Sequence, residues 1–235
     1  MPQGFLRRPF NFMSFYWISS IILIPAAYLL GSVPFGIVFA RLLGGVDPRA
    51  SGSQNIGATN VARTAGKAAG ALTLVFDILK GALPTLLAFY LGGILASGYS
   101  AIEASGGPPS PFPERLGPQV IIVTLTALSA FMGHLFPLFL SFKGGKGVAT
   151  ACGMMFVVSP VATLLSLAVF VIVVLVKRYV SLGSIISASL MPVFLSFLPS
   201  RRDYVMLGVI VAFLVIIRHG ENIKRLAAGV ENKIW

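Results

Sequence analysis

Three side-chain chemistries are scarce in this chain of 235 residues, which has one cysteine, two histidines and seven acidic residues. Cys152 lies in an apolar stretch with no second thiol, so an internal disulfide framework and a cysteine-rich metal site are excluded. His134 and His219 are far apart in sequence, and Asp47, Asp77 and Asp203 are scattered. Neither a zinc-type nor a carboxylate-cluster metal site is expected, and no cofactor is implied. Charge is also thin, at 11% of residues against 56% hydrophobic, with a mean hydropathy of +0.89. A soluble domain of this length is not that apolar, so the chain reads as an integral membrane protein.

What is present in quantity is apolar runs of helical length. They are too long for the ~10-residue alternating strands of a membrane barrel, so the expected fold is all-α and polytopic. Seven spans are predicted: Phe15–Leu43, Ala68–Leu95, Gln119–Leu140, a short Val148–Val158, Val161–Val176, Ser181–Phe197 and Tyr204–Ile217. Pro25 and the run Gly31-Ser32-Val33-Pro34-Phe35-Gly36 are expected to bend the first span. Residues 1–14 read as a mobile basic leader, 15–235 as one membrane domain, and the Gly/Pro/Ser-rich 97–118, with Glu114 and Arg115, as an outer loop.

The formal net charge of +11 suggests nucleic acid until the basic residues are placed. They cluster at span ends and not along one face. Arg41, Arg49, Arg63, Lys67, Lys143, Lys146, Lys177, Arg178, Arg218, Lys224, Arg225 and Lys233 fall on one side of a seven-span topology. Only Arg7, Arg8, Arg115, Arg201 and Arg202 fall on the other. By the positive-inside rule the amino terminus is outside and the carboxyl terminus cytoplasmic, with no nucleic-acid partner.

Two loops on the basic side carry chemistry. In Gly52-Ser53-Gln54-Asn55-Ile56-Gly57-Ala58-Thr59-Asn60-Val61-Ala62-Arg63, small donors between glycines can form a backbone nest, and Arg63 can grip a phosphate through two parallel bonds. In Lys143-Gly144-Gly145-Lys146-Gly147, flexible backbone and positive charge precede a helix whose amino-terminal dipole favours anions. It lacks the order of a nucleotide P-loop. Spacing alone leaves open an ordinary polar turn in the first case and a topology-setting basic turn in the second. The balance moves because the topology brings Ser53, Asn55, Thr59, Asn60, Arg63, Lys146, Ser184, His219 and Asn222 to the same ends of the helices. Asp77 and Lys80, three residues apart within a span, read as a self-neutralising structural pair.

GSVPFG (31–36), GSQNIGATNVAR (52–63), GHLFPLFLSFKGGKGVAT (133–150), KRYVSLGS (177–184) and RHGENIKRLAAGVE (218–231) closely resemble the bacterial acyl-phosphate:glycerol-3-phosphate acyltransferase family. The match runs from the first span to the carboxyl terminus. Gln54 stands where that family often has Gly or Asn, and Gly220 where a basic residue is common.

The resemblance implies transfer of a fatty acyl group from acyl phosphate to the sn-1 hydroxyl of glycerol 3-phosphate, giving lysophosphatidic acid and phosphate. The setting would be the bacterial inner membrane, with the active site facing the cytoplasm. It implies His219 and Asn222 as catalytic groups. Ser53, Asn55, Thr59, Asn60, Arg63, Lys143, Gly144, Gly145, Lys146, Gly147, Ser181, Ser184 and Glu231 would bind substrate phosphates. Acyl phosphate, glycerol 3-phosphate and membrane lipid are the expected partners, with a monomer sufficient. The His-x-x-x-x-Asp dyad of other glycerol-phosphate acyltransferases is missing, since Phe139 and Lys224 stand where its aspartate would be. An organic-phosphate transporter is the competing expectation.

Overall fold

The computed structural model describes residues 9–107, 109, 111–112 and 117–234, with side chains from Phe15 onward. Residues 1–8, Glu114 and Arg115 lie outside that set. Among the described residues there is no strand. The chain runs α1 (Pro9–Ser32), α2 (Phe35–Gly44), α3 (Ala58–Ala65), α4 (Lys67–Ala104), α5 (Pro118–Leu135), α6 (Val148–Val158), α7 (Pro160–Lys177), α8 (Val180–Ser196), α9 (Val205–Arg218) and α10 (Gly220–Ala227). By length and composition, four stretches are able to cross a membrane: Phe15–Gly44, Lys67–Ala104, Pro118–Leu140 and Pro160–Lys177. A fifth arises if the pair Pro199–Arg218 and Gly220–Ala227, bent by 60°, counts as one; α6 and α8 are shorter apolar helices.

Two expectations are corrected. Residues 97–104 continue α4 and do not open the outer loop, because Leu95, Tyr99 and Ile102 recur at helical spacing and are all buried. Residues 58–65 are helical, not loop, since Asn60 and Val61 turn a buried face toward α2 and α4 between Gly57 and Gly66.

α4 packs against α1, α2, α3, α5 and α6, while α7, α8 and α9 follow as successive neighbours. Close approach rests on small residues: a side chain at Gly31 would strike the Ala130 carbonyl, and one at Gly81 the Thr150 carbonyl. Lipid-length helices also leave apolar side chains outward, as at Ile172, Leu175 and Val176 on α7.

The break between α1 and α2 shows how irregular backbone survives here. The Ile37 N–H that would continue a helix onto the Val33 carbonyl bonds to Pro34 instead, at 2.9 Å, and the Val33 carbonyl so freed accepts from Lys80 Nζ at 3.0 Å and from Phe35 N at 3.1 Å. Lys80 in turn pairs with Asp77 at 2.8 Å, both 2% exposed. Without those partners a carbonyl at this depth would cost a few kcal/mol.

Candidate active site

Pro137 forces α5 to end at Leu135, because the residue before a proline disfavours helical backbone. A 3₁₀ turn at Leu138–Leu140 follows, then positive φ at Ser141 (50°), Phe142 (63°) and Gly147 (80°) returns the chain to α6. The loop so formed is pinned from two sides. Gly145 N–H donates to the His134 carbonyl at 3.2 Å. From α9, Arg218 Nη2 donates to the Gly144 carbonyl at 2.6 Å and Nε to the Gly145 carbonyl at 3.0 Å, its guanidinium lying 5.7 Å from the Phe136 ring centre.

With both glycine carbonyls drawn to Arg218, the five amides from Lys146 to Thr150 donate to no acceptor among the described residues. Lys146 is half-buried whereas Lys143 points to solvent, so the two lysines are not equivalent. Burial pushes the Lys146 ammonium down to about 8; Glu231 opposes that, and Arg225 and Arg218 reinforce it.

The helix bend at His219 delivers the second half of the site. His219 is 2% exposed, and its Nδ1 donates to the Val215 carbonyl at 2.8 Å. A carbonyl only accepts, so Nδ1 holds the proton and Nε2 keeps its lone pair. Burial lowers its pKa to about 4, with the Val215 bond and Glu231 opposing and Lys146 assisting, so the ring is a neutral base at pH 7.

One turn on, Asn222 Oδ1 accepts from Lys146 Nζ at 2.5 Å, and its Nδ2 donates to Glu231 Oε1 at 2.6 Å. Ser181 donates to the same oxygen at 2.8 Å, and Arg225 Nε pairs with Oε2 at 2.7 Å. Burial alone would raise the Glu231 pKa, but bonds from Arg225, Asn222 and Ser181 hold it below the usual value. The tail is fastened further by Ile234 N–H to the Arg178 carbonyl at 2.9 Å and by Lys233 over the Tyr179 ring. Ser184 turns inward and donates to the Val180 carbonyl at 2.9 Å.

The structure thus brings together Lys146, His219, Asn222, Ser181 and Glu231 from four separate segments. It changes the sense of two of them. A carboxylate repels phosphate, and Glu231 spends both oxygens on protein donors; Ser181 spends its hydroxyl on Glu231. Both brace Asn222.

The 52–63 segment differs more from expectation. Asn60 is 2% exposed, and its Nδ2 donates to the carbonyls of Pro48 (2.8 Å) and Asn55 (2.9 Å), with Ser51 at 3.3 Å. Its Oδ1 accepts the Ser53 amide at 2.9 Å, Asn55 Oδ1 accepts the Gly57 amide at 2.9 Å, and the Gln54 amide donates to Ser51. The Ser53, Gln54 and Gly57 amides are thus engaged, whereas those of Asn55, Ile56, Ala58 and Thr59 meet no acceptor among the described residues, so only part of the expected nest stays open; Asn60 organises the loop. Arg49, by hydrogen bonding, and Arg41 hold the Asp47 carboxylate well below its usual range. Thr59 and Arg63 stand exposed on α3. No hydrogen bond or ion pair among the described residues joins this segment to the Lys146 cluster.

Sequence reasoning treated Arg218 and Arg225 only as topology-setting charges. The available signal was position: an arginine closing an apolar helix needs acceptors when it is half-buried. His134 also matters locally. Its Nδ1 lies 3.2 Å from Thr150 Oγ1 and 3.8 Å from Asp77 Oδ1, and its ring lies against Gly145.

Membrane-length apolar helices, with a half-buried Lys146 bonded to Asn222 one turn beyond the buried His219, define a multi-pass integral membrane protein. The chain belongs to the glycerol-3-phosphate acyltransferase family, whose model matches residues 21–229. It is 44% identical over 214 residues to the glycerol-3-phosphate acyltransferase of Geotalea daltonii, covering 91% of this chain and 97% of that one. It is 43% identical over 216 residues to that of Geobacter sulfurreducens, covering 92% and 98%. Among solved structures it is similar to PlsY, an integral membrane glycerol 3-phosphate acyltransferase. The glycerol 3-phosphate form matches with a TM-score of 0.75 at 39% identity, over 92% of this chain and 95% of that one. The lysophosphatidic acid form matches at 0.73 and 37%, over the same shares.

Proposed function

We propose that this chain acylates the sn-1 hydroxyl of glycerol 3-phosphate with a fatty acyl group from acyl phosphate, releasing lysophosphatidic acid and inorganic phosphate. The observation that carries the reading is Lys146 with the open amides of residues 146–150, set beside the neutral His219. A fixed cation and unpaired N–H groups suit phosphate oxygens. Two phosphorylated substrates would otherwise repel each other in a site of low polarity. Arg63 and Lys143, exposed at the same end, supply further charge for the approaching anions.

In the reaction the glycerol hydroxyl oxygen attacks the acyl carbonyl. The new C–O ester bond forms as the acyl C–O bond to phosphate breaks, and phosphate departs with the electron pair. His219 Nε2, held in its lone-pair tautomer by Val215, takes the hydroxyl proton and passes it to the departing phosphate. Asn222 orients Lys146 and is itself held by Glu231. No cofactor and no covalent acyl-enzyme enter the scheme.

The reading extends to seven spans with the amino terminus outside, the carboxyl terminus in the cytoplasm and the site at the cytoplasmic face of the bacterial inner membrane. It takes a monomer as the working unit. The test uses purified protein with palmitoyl phosphate and glycerol 3-phosphate, following phosphate and lysophosphatidic acid together. Equal release of both, abolished in folded Lys146→Ala, is expected. No ester product, with labelled glycerol 3-phosphate crossing liposomes in the absence of a donor, would refute it in favour of a carrier.

A further inference from the structure

Arg218 is a charged group that the proposed chemistry leaves unused. It closes α9 immediately before His219, and it forms no ion pair with a carboxylate among the described residues. Instead its fork reaches across to the loop after α5, with Nη2 at 2.6 Å from the Gly144 carbonyl and Nε at 3.0 Å from the Gly145 carbonyl. The segments it joins are more than seventy residues apart in sequence. Each carries one half of the site: the loop holds Lys146 and the open amides, and the next residue after Arg218 is His219.

Two parallel bonds from one rigid plane fix both distance and orientation, which a single bond does not. They also settle which way the two glycine peptides face. Glycine backbone is otherwise the least constrained in the chain.

We infer that Arg218 is a positioning residue for acyl transfer: its guanidinium holds the phosphate-directed loop in register with His219, and its geometry matters more than its charge. This rests on the acyltransferase reading above.

The test compares Arg218→Lys and Arg218→Gln with the parent protein in the palmitoyl phosphate assay, alongside thermal unfolding in detergent. Lysine keeps the charge but donates from a single nitrogen on a flexible stem, without the rigid fork; glutamine keeps one donor nitrogen and no charge. Both variants are expected to lose about 100-fold in kcat, the scale of an ångström of misplacement, with KM for glycerol 3-phosphate within about threefold because Lys146 and the amides remain. Their unfolding midpoints should stay within a few degrees of the parent.

An Arg218→Lys enzyme with near-parental kcat would overturn the inference and assign Arg218 a purely electrostatic role. So would a loss confined to KM, or one that follows a collapse of the unfolding midpoint. Failure of the parent protein to form ester at all would strike the acyltransferase reading instead, which keeps the two conclusions separable.

Discussion

Lys80→Met is the most informative stability perturbation. In the parent, Lys80 Nζ lies 2.8 Å from Asp77 Oδ1 and 3.0 Å from the Val33 carbonyl, with both side chains almost fully enclosed. Removing the ammonium strands a buried carboxylate, which costs about 3–5 kcal/mol. Val33 keeps the Phe35 amide at 3.1 Å, so its share is smaller, about 1 kcal/mol. For a chain of this size each kcal/mol moves the midpoint by roughly 2–4 °C, so the single variant should unfold on the order of 10 °C lower. Replacing both partners, as in Asp77→Leu with Lys80→Met, removes the stranded charge, so only the Val33 share should remain. Cys152 is the sole cysteine and partly buried in α6, so a thiol-reactive dye reports unfolding without further engineering. A single variant within about 2 °C of the parent, or a double variant as damaged as the single, would refute the account of the helix break.

The pH response of Lys146 has two signs. With its pKa lowered to about 8 from 10.5, substrate KM should be flat below pH 7 and rise above pH 8 as the cation is lost. Between pH 8 and 10.5 the unfolded lysine keeps a proton that the folded one has released, so stability should rise with pH over that window. Kinetics and thermal scans across pH 6–10 check both; a KM flat to pH 10 would contradict the cradle. Gln54 sits at φ 55°, a conformation that costs a residue with a side chain about 1–2 kcal/mol, partly offset by the entropy of a glycine replacement. Gln54→Gly should therefore raise the midpoint by roughly 2–4 °C, and a fall would show that the turn does not need that backbone. Gly145→Ala would drive a methyl into the His134 imidazole and should cut kcat/KM about 100-fold, whereas Gly220→Ala meets open space and should stay within about twofold. Equal tolerance at both positions would remove the close packing of the loop on His134 from the argument.

Much of the helical plan was legible because strong local signals fix it. Gly147 before α6, Ser159-Pro160 at its end and Lys177-Arg178 after α7 place boundaries within a residue or two of those expected. The end of α4 was not legible, since Gly, Ser and Ala in 97–104 read as loop while its burial comes from Tyr99 and Ile102 meeting other segments. α3 was missed because an eight-residue polar helix has little intrinsic signal and forms by docking Val61 on its neighbours. In the site, residue types were readable but duties were not. Asn60 and Glu231 carry groups that suit phosphate recognition or catalysis in the abstract. Which acceptor each meets depends on partners 12 residues away for Asn60 with Pro48 and 50 for Glu231 with Ser181.

The tail bearing Glu231 also sets a timetable. During synthesis the loop with Lys146, the start of α8 and the α9–α10 corner all exist before Glu231 has been added, so Asn222 and Ser181 wait for their common acceptor. At ~5–20 residues per second, the interval between making Lys146 and making Glu231 is several seconds. A nascent chain inserted through α9 therefore holds the apolar scaffold and the phosphate-directed loop but not the brace that orients Asn222. On the proposed reading, a product cut short before Glu231 would occupy membrane with Lys146 in place and acylate little glycerol 3-phosphate.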